Sequence, residues 1–501
     1  MAERFDVVVA GGGLGGLTAA ALLARSGWRV LVLERQRVLG GCATAFRRGL
    51  YRFDAAASFL GATREGEQIA RVLETIGAAD RVRFAHVGAN LRIVLPDRAL
   101  DTRNAASGDP VAAAFPNERR ALARVQRVLE AIGRDVQRFS ALRPWQRALL
   151  PLFCPSLLRY ARSRLGRLLD REIRDPALRV VLSHLPATAP PRELALLFAG
   201  VVLSKSGRES LCYPAGGMGA FTAALAEGAR RHGAELRTGE GLAAIEHDGR
   251  RVTAVRTDAG ARIGARAVVA AFDPNDVLAR LEGPGRRRIE KARRRAARFR
   301  YSASAFLVYL GLDPAADWSH EHFLTSIFET IDLDAAYGAV GRGELPERLI
   351  HHVTFPDASG APETDGAAPT AKIMTIVPYE PFARWRAEGE AVYRERKQAF
   401  AESILARVGA HVPALRSGVR FVEAASPLTL ERWTGNPRGA IYGLEPTPEQ
   451  FGPWRWPNAG VLGGLAFAGH YARPSHGIVG VCFSGEFAAD AVGRYLRGAT
   501  M

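Results

Sequence analysis

The feature that most constrains this chain is a set of glycines between a short apolar strand and a helix. Phe5–Ala10 (FDVVVA) has the pattern of a buried strand. Gly11, Gly13 and Gly16 follow in the order G-x-G-x-x-G, with Gly15 beside them. Leu17–Ser26 has the pattern of a helix that Gly27 ends, and Arg29–Leu33 predicts a second strand closing on Glu34. Each part has a physical reason. Gly11 permits the tight strand-to-helix turn, Gly13 lets the backbone approach a pyrophosphate, and Gly16 allows close packing of helix on strand. The helix N-terminus presents unpaired N–H groups and a positive dipole end to the phosphates. Glu34 falls where a carboxylate can accept hydrogen bonds from ribose hydroxyls. Its charge argues against a 2′-phosphate there, although Arg35 stands next to it. A glycine-rich turn in some other α/β protein would not need the strand, helix, second strand and acid in register.

After Glu34 the chain runs RQRVLGGCATAFRRGLYRFD. Gly40 and Gly41 open a loop that can lie along the flavin side of a pyrophosphate, which favours FAD over NAD. Arg47 and Arg48 offer guanidinium groups for phosphate or carboxylate, or are solvated surface charges.

These blocks resemble the phytoene desaturase and carotenoid isomerase branch of the FAD amine-oxidase superfamily. The resemblance is carried by DVVVAGGGLGGLTAAALLARSGWRVLVLER and GGCATAFRRGLYRFD. It continues in Tyr213-Pro214-Ala215-Gly216-Gly217-Met218-Gly219, in Ser426-Pro427-Leu428-Thr429 with ERWTGNPRGAIYG, and in GLAFAGHYARPSHGIVGVCFSGEFAADAV. It implies an α/β fold: a discontinuous Rossmann-type FAD-binding domain with an inserted α+β substrate domain. The expected cofactor pieces are 1–65, 205–275 and 455–501, and the expected substrate pieces 66–204 and 276–454. The resemblance adds Cys42, Leu242 (backbone towards adenine), Gly469, Gly477 and Ile478 to the expected cofactor contacts, with the helix from Gly477 facing the flavin carbonyl. Three departures stand near the flavin. Cys42 replaces a frequent arginine, Phe53-Asp54-Ala55-Ala56 replaces FD-x-G, and Pro474-Ser475-His476-Gly477 replaces Pro-Gly-x-Gly.

The strand pattern is legible elsewhere. Glu235–Thr238, Gly241–His247, Arg251–Thr257 and Arg262–Ala270 are expected strands, and Ala267–Pro274 is expected to run out towards the cofactor. Ala303–Gly311 and Ala371–Pro378 are expected strands of the substrate part, and 66–204 is mostly helical in pattern. The polar, Pro- and Gly-rich stretch Asp357–Thr370 is a loop.

Lys plus Arg is 68 against 51 Asp plus Glu, a net charge of +17. That favours anionic partners such as lipid headgroups or phosphates, unless it reflects only an arginine-rich composition. Cys42, Cys154, Cys212 and Cys482 include no CxxC pair, which argues against a disulfide framework or a metal site and for a reducing compartment. No apolar stretch reaches the roughly 20 residues of a spanning helix. The Val7–Ala24 run, preceded by Glu3 and Asp6 and broken by glycines, does not have a signal-peptide pattern. The expected location is cytoplasmic, either free or peripheral on the inner membrane face. Two basic segments could make that contact: Trp145–Leu169, read as an amphipathic helix, and Arg286–Arg300. The competing reading is that their apolar residues line a core or tunnel and their arginines are solvated. No nucleic-acid motif accompanies the basic runs.

The resemblance implies a long apolar polyene substrate that is desaturated, isomerised or saturated. A polyketide polyene, such as a tetramate macrolactam precursor, is an alternative substrate. A non-catalytic lipid-anchor carrier on the same scaffold is an alternative of another class. His476 is the candidate acid or base, in a cluster with His470, Tyr471 and Arg473, unless it only packs or caps the following helix. His351 and His352 are secondary candidates. Cys42 is a redox candidate only if its thiolate is stabilised, and otherwise a small filler.

Overall fold

The computed structural model describes residues 3–88, 90–103, 109–142, 149–184, 189–204, 209–361 and 365–498. Two sheets organise them. The first has eight strands in the order Leu281–Glu282, Leu242–His247, Val252–Thr257, Arg262–Ala270, Arg4–Ala10, Val30–Glu34 and Glu235–Thr238, with Leu465–Phe467 also paired to Arg262–Ala270. Its centre is parallel, with Val7 opposite both Val30 and Ala267, and Val268 opposite Leu465. Parallel strands are covered on both faces, so both sets of alternate side chains are apolar. Val7, Val9 and Val32 pack with the helices Leu14–Arg25 and Gly477–Leu496, whereas Val8 and Leu31 pack with Ile289, Ala292 and Ala296. The expected strand Ala267–Pro274 is shorter than its apolar run. It stops at Ala270, because Asp273 turns back to cap the helix Pro274–Ala279 by accepting from the Asn275 N–H.

The second sheet has seven strands in the order Val419–Ala425, Ser304–Leu312, Thr370–Val377, Ile350–Thr354, Leu324–Phe328, Leu91–Val94 and Ala99–Asp101. The two substrate-part strands expected from sequence lie within one residue of their observed ends. One face, including Phe306, Val308, Val353 and Ile373, packs on Ile404 and Val408 of the helix Glu390–Gly409. The other turns Ile350, Ile376 and Met374 towards the helices Arg119–Ala141, Leu165–Glu172 and Leu196–Leu203.

The expected amphipathic helix Trp145–Leu169 is not one helix. Trp145 and Arg147 lie outside the described residues. The remainder is three short helices, Leu150–Phe153, Pro155–Arg159 and Leu165–Glu172. Pro151 and Pro155 each occupy a first helical turn, where a missing N–H costs nothing, so the chain restarts instead of continuing. The basic run contains the helix Arg287–Ala296, whose apolar stripe Ile289, Ala292 and Ala296 is already buried on the first sheet. Several of its arginines are also engaged. Arg288 donates to the carbonyls of Gly249 and Arg250, Arg293 to that of Leu278, and Arg295 to those of Trp454 and Arg455. Among the described residues no helix is long and apolar enough to cross a membrane.

Candidate functional site

One cavity of about 1550 Å³ runs from the glycine turn of the first sheet to the inner face of the second. Gly11, Gly13, Gly15, Gly16, Glu34, Arg35, Gly40, Gly41, Cys42, Leu242, Gly469, His476, Gly477 and Ile478 all line it.

At the first end the wall is backbone. Gly11 has φ +106°, a conformation that L side chains rarely adopt, and its N–H bonds the Leu33 carbonyl at 2.8 Å. A Cβ on Gly16 would lie 2.0 Å from the Gly11 carbonyl oxygen, and one on Gly15 would lie 2.7 Å from the Gly469 nitrogen. Helix, turn and C-terminal segment therefore meet at distances that only glycine allows. A Cβ on Gly13, by contrast, would meet nothing within 4 Å. Gly13 also precedes the helix Leu14–Arg25 with no side-chain cap, so the first-turn N–H groups are left facing open space. The loop at Gly40 docks on this turn through a 2.8 Å bond from its N–H to the Gly12 carbonyl. Glu34 accepts from the Gly12 N–H at 2.7 Å and the Gln36 N–H at 2.8 Å, which fixes the carboxylate at the rim with lone pairs to spare. This cradle fits a dinucleotide.

Four neighbours of the cradle are engaged elsewhere. Arg35 donates to the carbonyls of Arg432 and Trp433. The Leu242 carbonyl accepts from Arg280 at 3.0 Å. Arg47 and Arg48 pair with the carboxylates of Asp365 and Glu423, so the structure spends on ion pairs the guanidinium groups that the sequence offered to phosphate.

The middle of the cavity is built from the C-terminal loop. His476 is 4% exposed and lies between the rings of Phe198 (4.5 Å) and Tyr442 (4.7 Å). Among the described residues neither ring nitrogen has a protein partner, and the imidazole does not cap the helix Gly477–Leu496. Burial, followed by the charges of Arg455 and His470, pushes its pKa well below the ordinary histidine value, so the ring is neutral. Arg455 is fully buried beneath the same loop. It donates to the carbonyls of His470 at 2.9 Å, Gln450 at 3.0 Å, Leu444 at 3.3 Å and Tyr442 at 3.4 Å. Asn436 accepts from His470 at 3.2 Å and from the Tyr471 hydroxyl at 3.1 Å. Burial pushes the Cys42 thiol up to about 11, despite a hydrogen bond with Asn436. The stabilised thiolate that redox chemistry at Cys42 would require is therefore not provided.

At the second end the wall is side chains. Hydrogen-bonded register sets Ala425, Leu307, Met374, His352 and Ser326 in one row across the second sheet, with Tyr309, Lys372, Thr354 and Leu324 in the next row on the same face. Val136, Phe139, Leu157, Leu197 and Val201 close the cavity from the helical side. Lys372 is buried, and its ammonium donates to the carbonyls of Ala56 and Ala57 at 2.9 Å and of Asp54 at 3.2 Å. Burial pulls its pKa down to about 8 while the Asp54 carboxylate pulls it up. Asp54 in turn accepts from the Tyr213 hydroxyl at 2.7 Å and the Met218 N–H at 2.9 Å. The loop that departs from the expected FD-x-G pattern is therefore clamped from the other sheet. Among the described residues no cluster of metal ligands occurs.

Sequence reasoning missed Lys372, Asn436 and Arg455 as site residues. Lys372 left a signal, a lone lysine in the apolar run TAKIMTIV. Arg455 left none, because its partners are carbonyls.

Residues 14–493 match the family described as flavin containing amine oxidoreductase. A prolycopene isomerase of Daucus carota is 24% identical over 98% of this chain and 80% of its own length. A phytoene dehydrogenase of Streptomyces griseus is 29% identical over 97% of this chain and 94% of its own. The solved structure of a cyclohexylamine oxidase from Brevibacterium oxydans superposes with a TM-score of 0.63 at 18% identity, covering 99% of this chain and all of that one.

Proposed function

The chain belongs to the flavin-containing amine oxidoreductases, in their phytoene desaturase and carotenoid isomerase-like branch, and from that membership we propose that FAD fills the glycine-lined end of the cavity and a long apolar polyene the rest. The observation that carries this reading is the continuity of one cavity from a backbone cradle to an apolar roof. A polyene offers few hydrogen-bonding groups, so its pocket should be apolar along most of its length.

On this reading 1–65, 205–275 and 455–501 form the cofactor unit, and 66–204 and 276–454 the substrate unit. Gly11, Gly13, Gly15, Gly16, Gly40 and Gly41 hold the pyrophosphate by backbone, Glu34 and Arg35 border the ribose, and Leu242 borders the adenine. Cys42, Gly469, Gly477 and Ile478 surround the isoalloxazine. The flavin, when bound, supplies acceptance or donation of the reaction's electrons. The chain's residues orient and dehydrate. Phe198, Tyr442 and the neutral His476 pack at the junction, Lys372 fixes the 54–57 loop, and the N-terminus of the helix Gly477–Leu496 presents N–H groups to negative charge.

The protein works in the cytoplasm against the inner membrane face. Leu149, Leu152 and Leu158 are exposed beside the cavity-lining Leu150, Leu157 and Ala161, with Arg159 and Arg162 in the same stretch. This supports uptake of an apolar substrate from an anionic surface. Sedimentation with anionic liposomes tests it: protein that stays in the supernatant at low salt ends that part of the reading.

Product masses after incubation with phytoene, lycopene isomers and a linear polyene tetramate test the activity. Loss of two hydrogens marks desaturation, an isomer marks isomerisation or redox-neutral cyclisation, and gain of two hydrogens marks saturation. Turnover of the tetramate alone replaces the carotenoid substrate with a polyketide one. A protein that turns over no polyene and takes up no FAD is a carrier on this scaffold.

A further inference from the structure

His351 and His352 are consecutive in the strand Ile350–Thr354, so they face opposite sides of the second sheet. Their surroundings differ in one respect. His351 is fully enclosed and both ring nitrogens are matched, Nδ1 with the Thr375 hydroxyl at 2.8 Å and Nε2 with Glu329 at 3.3 Å. His352 is on the cavity side, in the row of Leu307 and Met374. Its Nδ1 shares a 2.9 Å hydrogen bond with the Ser326 hydroxyl, and its Nε2 has no protein partner among the described residues. Burial holds the ring neutral, with its pKa lowered to about 3. A neutral imidazole has one donor and one acceptor nitrogen, so Nε2 is an unmet hydrogen-bonding position. Leaving such a group unmatched in a buried site is unfavourable. The fully matched His351 next door shows that this sheet is able to satisfy a histidine.

We propose that His352 is a substrate-binding residue that takes a hydroxyl group, so that the preferred ligand of this cavity is a polyene alcohol and not a pure hydrocarbon. A hydroxyl serves either tautomer. When Ser326 donates to Nδ1, the Nε2–H donates to the alcohol oxygen; when Nδ1–H donates to Ser326, Nε2 accepts the alcohol proton. The wall around His352 supplies little else that is polar: Leu307, Leu324 and Met374 are apolar, and Thr354 and His184 are the nearby exceptions. A hydroxyl held at His352 sets where along the cavity the chain comes to rest, and therefore which double bonds lie at the flavin.

This inference rests on the polyene reading. The test uses two probes with the holoprotein, an all-trans C20 polyene alcohol and the same polyene ending in a methyl group. Both are short enough to slide until an end meets His352. Binding is read from the shift of the polyene absorption band. The native protein should bind the alcohol about tenfold more tightly, the ratio expected for one buried hydrogen bond of about 1.4 kcal/mol. His352→Phe should erase the ratio by weakening the alcohol alone, and His352→Gln, which keeps a donor and an acceptor, should retain most of it. Equal affinities in the native protein, or a preference that survives His352→Phe, would overturn the inference and leave the polyene reading standing. Binding of neither probe overturns both. Should His352→Phe not fold, the native ratio together with His352→Gln decides the matter.

Discussion

The two ends of the cavity are built by opposite means. The first sheet contributes backbone: glycines that approach one another within distances no Cβ permits, and N–H groups at a helix start. The second contributes side chains, placed by the register of strands that are distant in sequence. Where backbone meets backbone, as at Gly15 and Gly16, no atom can be added, whereas a side-chain roof can be retuned one residue at a time. The first end should therefore fail abruptly on substitution and the second gradually. The sharpest attempt to break this contrast is Gly16→Val, because the new Cβ would lie 2.0 Å from the Gly11 oxygen, which is backbone and cannot turn away. The expected cost exceeds about 4 kcal/mol, the range of steric conflict in a packed interior. Flavin absorbance per purified protein should fall to background. A Gly16→Val protein with normal flavin content would show that the cradle is more forgiving than its distances imply.

Glu34→Ala probes the same end by chemistry instead of shape. It leaves the Gly12 and Gln36 N–H groups without their acceptor. Charge-assisted bonds of this kind contribute about 1.5–3 kcal/mol, so flavin affinity should weaken about 10- to 100-fold, measured by titrating apoprotein with FAD. An unchanged affinity would remove Glu34 from the cofactor's surroundings and assign it a purely local role in the turn.

The same contrast accounts for what the sequence discloses. The first end is legible because its glycine turn, the loop at Gly40 and Glu34 follow one another in sequence and most of them need a particular residue type. Gly11 and Gly16 could not be exchanged without losing the geometry, and Glu34 could not be exchanged without losing the acceptor of the Gly12 N–H. At the second end two of the seven strands are legible within a residue, yet the other strands, the order and the register are not. Nothing in the residues around Leu307 announces that Met374 and His352 continue its row. The segment from Trp145 misleads for a local reason, since its apolar periodicity continues through Pro151 and Pro155 while the backbone restarts. Arg455 stays hidden because it is held by four carbonyls, and carbonyls have no signature in sequence.

At the second end the expected effects are smaller and titrate. In the unfolded chain His352 takes up a proton near pH 6.5, but in the folded chain only near pH 3. Between those values the unfolded state binds more protons, so stability falls as pH drops below about 6.5. At pH 5.5 the share from this one group is roughly 1–2 kcal/mol. His352→Phe removes the group, so melting temperatures between about pH 7.5 and 5.5 should fall less in the variant than in the native protein. An equal fall would mean that His352 gains its proton in the fold as readily as outside it. His351 is also lowered by burial, but its Glu329 partner opposes that shift, and the two neighbours therefore provide an internal contrast.

The smallest effect is expected at His476, where the two ends meet. General acid or base catalysis requires a group that exchanges a proton near the working pH, and contributes typically 10²–10⁴-fold. His476 is enclosed by Phe198 and Tyr442, and burial together with the Arg455 charge holds it neutral well below its ordinary value. Its ring contacts both of theirs, and among the described residues its nitrogens have no protein partner to relay a proton. The expected requirement at this position is therefore a flat ring of similar volume. His476→Phe should keep flavin content, keep turnover within about threefold, and leave the pH–rate profile between about 6 and 8 unchanged, since no limb of that profile belongs to His476. His476→Ala should do worse than His476→Phe, because it removes the stacked surface between Phe198 and Tyr442 and opens a void in the cavity wall. A fall of about a hundredfold in His476→Phe with flavin retained would give His476 the proton-transfer role and shift the chemistry from the flavin to the loop that begins the last helix.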